Sequence, residues 1–195
     1  MDKLEFRKRV GILGGTFDPP HNGHILIAEA ACAQLGLNHV LFVPSREPPH
    51  KNRPDIIDVE LRYEMVKLAI EDRPNFSVCR IEIEKSGVSY SVETLKVLRE
   101  TEPDAQFYFI VGSDAIPELK TWRNINEIFS LCTFAVAMRP GFKSHQVPEK
   151  MVFLKGEFPD ISSSRIRQLL HSGQSVEQII GDAVYKFIIE RKLYR

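Results

Sequence analysis

The stretch "GGTFDPPHNGH", Gly14 to His24, gathers glycines, prolines and two histidines between apolar neighbours. A chain that only had to turn could do so with Pro-Gly or Asn-Gly. Glycines allow a ligand to approach the backbone, prolines stiffen the corner, and imidazoles supply hydrogen-bond donors. A glycine turn running into a helix N-terminus exposes backbone N–H groups where a phosphate can dock. His21 and His24 stand three apart, so at the opening of a helix both can face one side. The stretch is neither a Walker A motif nor GxGxxG, since no GKS or GKT follows its glycines. A plain strand–helix connector with solvated histidines stays open as an alternative. A metal site is the weaker one, because no third ligand follows at a fitting spacing.

Further along, other segments carry residue types suited to anionic ligands. "REPPHK" offers His50 and Lys51, and "VGSDAIPELKTW" offers Asp114 and the lone tryptophan, Trp122, as a stacking platform. "DISSSRIR" offers Ser162, Ser164 and Arg167 at the start of a helix, good chemistry for polyphosphate oxygens. Each has a blander reading: a surface loop, an ordinary turn, a core tryptophan, serine caps. Their convergence on one sheet edge would favour the functional one.

Such convergence depends on the elements that carry them. "RVGILGG" and "HVLFVPS" are continuous apolar runs, as in strands buried on both faces of a parallel sheet. "GHILIAEAACAQLG" between them has helical spacing, with Gly36 as a stop. "VELRYEMVKLAIED" reads as an amphipathic helix, "FSVCRIEIE" as an alternating strand, and "SYSVETLKVLRE" as a helix capped by Ser91. "AQFYFIVGSD" is a buried strand ending in a loop. A helix, "WRNINEIFS", precedes the strands "CTFAVAMRP" and "MVFLKG", and the tail, in the segments "SSSRIRQLLHSG", "SVEQII" and "DAVYKFIIERKLYR", is helical throughout. Strands alternating with helices predict an α/β fold, a doubly wound, mostly parallel, Rossmann-like sheet with a helical C-terminal segment. Ligands in such folds sit at the carboxyl ends of the strands.

Composition narrows the partners. The 195 residues suit one domain over 1–195, with 160–195 as its helical subregion. Lys plus Arg equals Asp plus Glu at 26 each, so no global basic field attracts nucleic acid and any anion site must be local. Cys32, Cys79 and Cys132 are odd in number and far apart, which suits buried thiols in a reducing compartment. The charged start lacks an apolar signal core, and no apolar run approaches the ~20 residues of a membrane span. A cytoplasmic protein with no membrane or nucleic-acid partner is expected.

The ordered segments "GGTFDPPHNGH", "VPSREPPHK", "SYSVETL", "VGSDAIPELKTW", "ISSSRIR" and the ending "LYR" cover essentially the whole chain. Together they resemble the bacterial nicotinate mononucleotide adenylyltransferases of the nucleotidylyltransferase superfamily, with the first segment as the (H/T)xGH signature loop. The resemblance implies adenylyl transfer from ATP to nicotinate mononucleotide, giving nicotinate adenine dinucleotide and pyrophosphate in NAD biosynthesis. It implies that His21, His24 and Arg167 act on the phosphates, with Mg²⁺ held mainly through ATP rather than by protein ligands. Gly14, Gly15, Thr16, Phe17, Asp114, Ser162 and Ser164 would bind ATP. His50, Lys51, Ser91, Trp122 and Arg123 would bind the mononucleotide. Ser113, Ser91 and Arg123 depart from residues common in the family, alanine, threonine and an aromatic respectively. A relative acting on another phosphate acceptor, such as phosphopantetheine, and a non-catalytic nucleotide-binding module are the rival readings. Self-association is left open.

Overall fold

A computed structural model describes residues 8–48, 55–138 and 150–195. His50 and Lys51 lie outside the described residues. Six strands form one sheet: β1 (Arg9–Gly15), β2 (His39–Pro44), β3 (Phe76–Val78), β4 (Gln106–Gly112), β5 (Thr133–Ala137) and β6 (Met151–Leu154). Every pairing is parallel and the order is β3-β2-β1-β4-β5-β6. The helices are α1 (Asn22–Leu35), α2 (Val59–Ala69), α3 (Ser91–Thr101), α4 (Ile125–Leu131), α5 (Ser163–His171), α6 (Glu177–Ile180) and α7 (Asp182–Glu190).

The apolar runs are continuous because both faces of the sheet are covered. On β4, Tyr108 and Ile110 pack with Ala28 and Ala31 of α1, whereas Phe107, Phe109 and Val111 pack with Leu95 of α3 and Ile128 of α4. Helix α1 stops where expected, at Gly36, which adopts a left-handed φ of 60° and donates its N–H to the Cys32 carbonyl. A third apolar cluster joins Ile166 of α5, Ile180 of α6 and Val184 and Ile188 of α7 to Met65 of α2.

The sheet parts at the place that matters. Pairing between β1 and β4 runs from Arg9–Gln106 to Ile12–Phe109 and ends there. Beyond it, β1 continues beside β2 as far as Gly15–Pro44, and β4 beside β5 as far as Gly112–Ala137. A crevice therefore opens between the carboxyl ends of β1 and β4, where the strand order reverses.

Two expectations are corrected. "FSVCRIEIE" is strand only over Phe76–Val78, because the chain turns at Arg80 and buries the neighbours Glu82 and Ile83 together, which a strand cannot do on one face. The loop after β4 is a 3₁₀ helix, Ser113–Thr121, with Pro117 inside it. The tail has one helix in each of the three expected segments, α5, α6 and α7, separated at Gly173 and Gly181, both with positive φ.

Arg62 of α2 is 1% exposed and spends its guanidinium on backbone. Nη1 donates to the carbonyls of Thr16 and Ser45 at 2.7 Å each, Nη2 to Arg46 at 3.2 Å, and Nε to Ile57 at 2.8 Å. These bonds tie the loop after β1 to the loop after β2. Arg62→Ala should lower the unfolding free energy by about 3–5 kcal/mol, since it strands several buried carbonyls. Arg62→Lys should recover only part, because an ammonium lacks the planar fork. Urea unfolding of both variants checks this; a loss below ~1 kcal/mol for the alanine variant would mean another contact holds the loops.

Candidate active site

The crevice is a cavity of about 420 Å³, within the ~300–1,000 Å³ range of small-molecule sites. One end is walled by Gly14, Gly15 and Thr16 from β1 and its loop, by His21 and His24 at the start of α1, and by Asp114 after β4. The other end is walled by Glu82, Ser89, Tyr90, Ser91, Thr94, Trp122 and Arg123.

At the first end the helix start fixes the histidines. His21 is the N-cap residue of α1, and His24 Nδ1 accepts the His21 backbone N–H at 3.2 Å. With Nδ1 accepting, the ring proton of His24 sits on Nε2, a donor on the opposite side of the ring. The two imidazoles stack with centroids 3.7 Å apart, and the Phe17 ring meets His24 edge-on at 5.0 Å. Gly23 between them keeps the fit close, since a Cβ there would lie 3.0 Å from His21 Nδ1 and crowd the ring. Phe17 itself is 2% exposed, so it buttresses the site from the core instead of facing the cavity.

The start of α5 docks on the same loop, which is joined through a cis Asp18–Pro19 peptide. Ser163 Oγ donates to the Pro19 carbonyl at 2.8 Å, and Arg167 Nη1 donates to the Asp18 carbonyl at 2.7 Å. Ser162 is the N-cap of α5 and accepts from the Arg165 N–H at 3.3 Å; Ser164 Oγ accepts from Arg167 Nη2 at 3.1 Å. Ser162, Ser164 and Arg167 thus adjoin the signature loop without forming the wall of the cavity itself.

At the second end, the cap of α3 is Tyr90 and Ser91 is the first helical residue, correcting the expected Ser91 cap. Its backbone N–H belongs to the first turn, ahead of the intrahelical ladder. Trp122 is half-buried, edge-on to Phe109 at 5.6 Å and to Phe134 at 6.1 Å, so it is both core and cavity wall. The Arg123 guanidinium lies 4.7 Å over the Tyr90 ring and 3.4 Å from Glu93, which also pairs with Lys85.

Sequence reasoning missed Glu82, Thr94, Asp18 and Arg62. Glu82 accepts from Thr94 Oγ1 at 2.6 Å and is 8% exposed, and nothing in an alternating run marks it as inward. Burial pushes its carboxyl above the ordinary value of 4.5, against the opposing pull of the Thr94 and Ser89 hydroxyls and of Lys85.

The cytidylyltransferase-like family matches residues 12–169, and the chain belongs to that family. A protein of Clostridium botulinum (strain Hall), named probable nicotinate-nucleotide adenylyltransferase, is 40% identical over 94% of this chain and 98% of its own length. One of the same name from Lactiplantibacillus plantarum is 44% identical over 96% of this chain and 88% of its own. Within the family, the chain groups with these nicotinate-nucleotide adenylyltransferases. Among solved structures, the Plasmodium falciparum nicotinic acid mononucleotide adenylyltransferase complexed with NaAD superposes with a TM-score of 0.79 at 21% identity, covering 96% of this chain and 98% of that one. That likeness bears out the expected fold. Among the described residues no helix is long and apolar enough to cross a membrane.

The raised Glu82 carboxyl has a measurable consequence. A folded value above the unfolded one means its contribution to stability is full below about pH 4.5 and is lost as pH rises through the folded value. Glu82→Gln keeps an acceptor for Thr94 and has no proton to lose. Its melting temperature relative to the parent should therefore climb across that interval and then level off. Paired thermal melts from about pH 4 to about pH 8 would show it, and a difference that stays flat with pH would refute it.

Proposed function

We propose that this chain transfers the adenylyl group of ATP to nicotinate mononucleotide, releasing pyrophosphate. The observation that carries this is the parting of β1 from β4 over a cavity with phosphate-type donors at one end and an aromatic, helix-capped wall at the other. The family membership and the named relatives support the same reading.

An oxygen of the mononucleotide 5′-phosphate forms a bond to the α-phosphorus of ATP. The bond from that phosphorus to the bridging oxygen breaks, and pyrophosphate leaves with the electron pair. A phosphate monoester with a second pKa near ~6 arrives mostly dianionic, so no general base is required. The protein's task is to bring two polyanions together and stabilise charge that moves onto the leaving group. Glycines 14 and 15 allow close backbone approach, His24 offers its Nε2–H, His21 lies beside it, and Arg167 supplies the full positive charge. Asp114 would hold the adenosine side. Ser162 and Ser164 would serve indirectly, the first by capping α5 and the second by steadying Arg167.

Mg²⁺ entering with ATP would neutralise phosphate charge. No cluster of His, Cys, Asp and Glu suited to a metal occurs among the described residues, so phosphate oxygens and water would be its ligands. The pyridine ring would lie against Trp122, with its carboxylate toward the first turn of α3, whose N–H groups and dipole favour an anion. Arg123 is shared with Glu93, so the helix start would carry more of that recognition than Arg123 does. The 5′-phosphate side would fall to the loop after β2, where His50 and Lys51 are expected.

Incubation with ATP, Mg²⁺ and an equal mixture of nicotinate and nicotinamide mononucleotides tests the reading. We expect pyrophosphate release, with the nicotinate dinucleotide favoured at least tenfold, ~1.4 kcal/mol in kcat/KM. Equal yields would mean that the pocket does not read the carboxylate; release with phosphopantetheine alone would assign the rival acceptor. His24→Asn retains a capping acceptor in place of Nδ1 and removes the Nε2 donor. Turnover should fall by ~10²–10³ with an unchanged melting temperature. Near-normal turnover would remove His24 from the chemistry.

A further inference from the structure

Glu82 is buried in the cavity wall, and the transfer step makes no use of it. It stands at the end assigned to an anionic acceptor, to which a carboxyl has no attraction to offer, and its burial is costly unless it is hydrogen-bonded. Thr94 Oγ1, itself buried in α3, donates to it at 2.6 Å. The Thr94 N–H reaches back to the Tyr90 carbonyl at 3.3 Å, so this residue closes the first turn of α3. On its other side, the segment carrying Glu82 is clasped by the loop leaving β2. Arg46 Nη1 donates to the Ile83 carbonyl at 2.6 Å, the Arg46 N–H to Ser89 Oγ at 3.1 Å, and the Ser89 N–H to the Glu47 carbonyl at 3.0 Å. Ser45 and Pro48 of that loop, like Ser91 and Thr94 of α3, line the cavity.

We propose that Glu82 is a positioning residue for the acceptor, acting through Thr94. It holds the first turn of α3 in register with the loop leaving β2, so that the mononucleotide enters between two walls already set apart at the right distance. This rests on the reading above that the mononucleotide occupies this end. Chain continuity from Ser89 fixes where α3 begins but leaves its tilt about that point to apolar packing, which is non-directional. The Glu82–Thr94 bond, about one turn further on, is a second point of attachment and removes that freedom. Walls fixed before binding spare the ligand the free energy of ordering them. The phosphate end is set by different contacts, the bond from the His21 N–H to His24 Nδ1 and the Phe17 ring against His24. Loss of the Glu82 attachment therefore falls on one substrate.

Glu82→Ala removes the attachment. KM for nicotinate mononucleotide should rise about tenfold, the worth of one such hydrogen bond, with kcat within about threefold and KM for ATP within about twofold of the parent. Glu82→Gln retains an acceptor for Thr94 and should bring KM back to within about threefold. Thr94→Val removes the donor and should match the alanine variant, whereas Thr94→Ser should stay near the parent. Combining Glu82→Ala with Thr94→Val should raise KM no further than either change alone. Circular dichroism melts establish that each variant is folded at the assay temperature. Should the alanine variant not fold, Thr94→Val against Thr94→Ser makes the same comparison. A mononucleotide KM within about twofold of the parent in the alanine and valine variants would overturn the proposal. So would equal losses for both substrates, additive losses in the double variant, or a glutamine variant as impaired as the alanine one. If the parent makes no product from nicotinate mononucleotide, the functional reading fails and this proposal falls with it. A parent that makes product, with variants that bind the acceptor normally, removes this proposal alone.

Discussion

The site depends on a buried cation that does not line its cavity. Arg62 sends its N–H groups to carbonyls of Thr16, Ser45, Arg46 and Ile57, so the loops leaving β1 and β2 share one anchor. Loops at strand ends have no ladder to set their spacing, and their carbonyls would otherwise need water. Burial disfavours the charged guanidinium, and the nearby Asp18 and Asp58 carboxylates oppose that shift. Arginine suits the place because a planar fork can serve several acceptors in fixed directions.

From that anchor the rest of the edge is built outward in layers. Phe17 packs beneath His24, and the β1–β4 register stops at Ile12–Phe109, so the gap is walled by loops that Arg62 already holds. On the far side, Glu82 performs the matching task for the acceptor end. It binds Thr94 of α3, and Ser89 Oγ accepts the Arg46 N–H at 3.1 Å. Arg46 Nη1 also donates to the Ile83 carbonyl at 2.6 Å. The loop after β2 is therefore fastened at both ends of the cavity, first by Arg62 and then by the segment before α3.

Much of this was legible in the sequence, and what was not shares a cause. The glycine turn, the His21–His24 spacing, the serine cap of α5 and the buried strands are local patterns, readable over a few residues. Arg62 sits in "VELRYEMVKLAIED", where periodicity alone assigns a charged residue to the solvated face; only the long-range carbonyls make its burial tolerable. The short β3 escaped for a related reason. Its alternation continues on paper through "CRIEIE", but Glu82 is drawn inward by Thr94, a partner on another element. The bond from Tyr194 to Asp18 spans nearly the whole chain, and no window of sequence contains both.

A neutral protein that handles polyanions must place its positive potential locally and keep it from its own carboxylates. Charge is balanced at 26 against 26, so long-range attraction adds little and the donors must be strong at contact. Backbone N–H groups at a helix start meet that need without repelling one another at close range. The two imidazoles there stack 3.7 Å apart, an arrangement that would be poor for two cations. The loop that carries the histidines is held from far away in the sequence as well: Asp18, buried beside Arg167, accepts the Tyr194 hydroxyl at 2.8 Å, which ties that loop to the last turn of the fold.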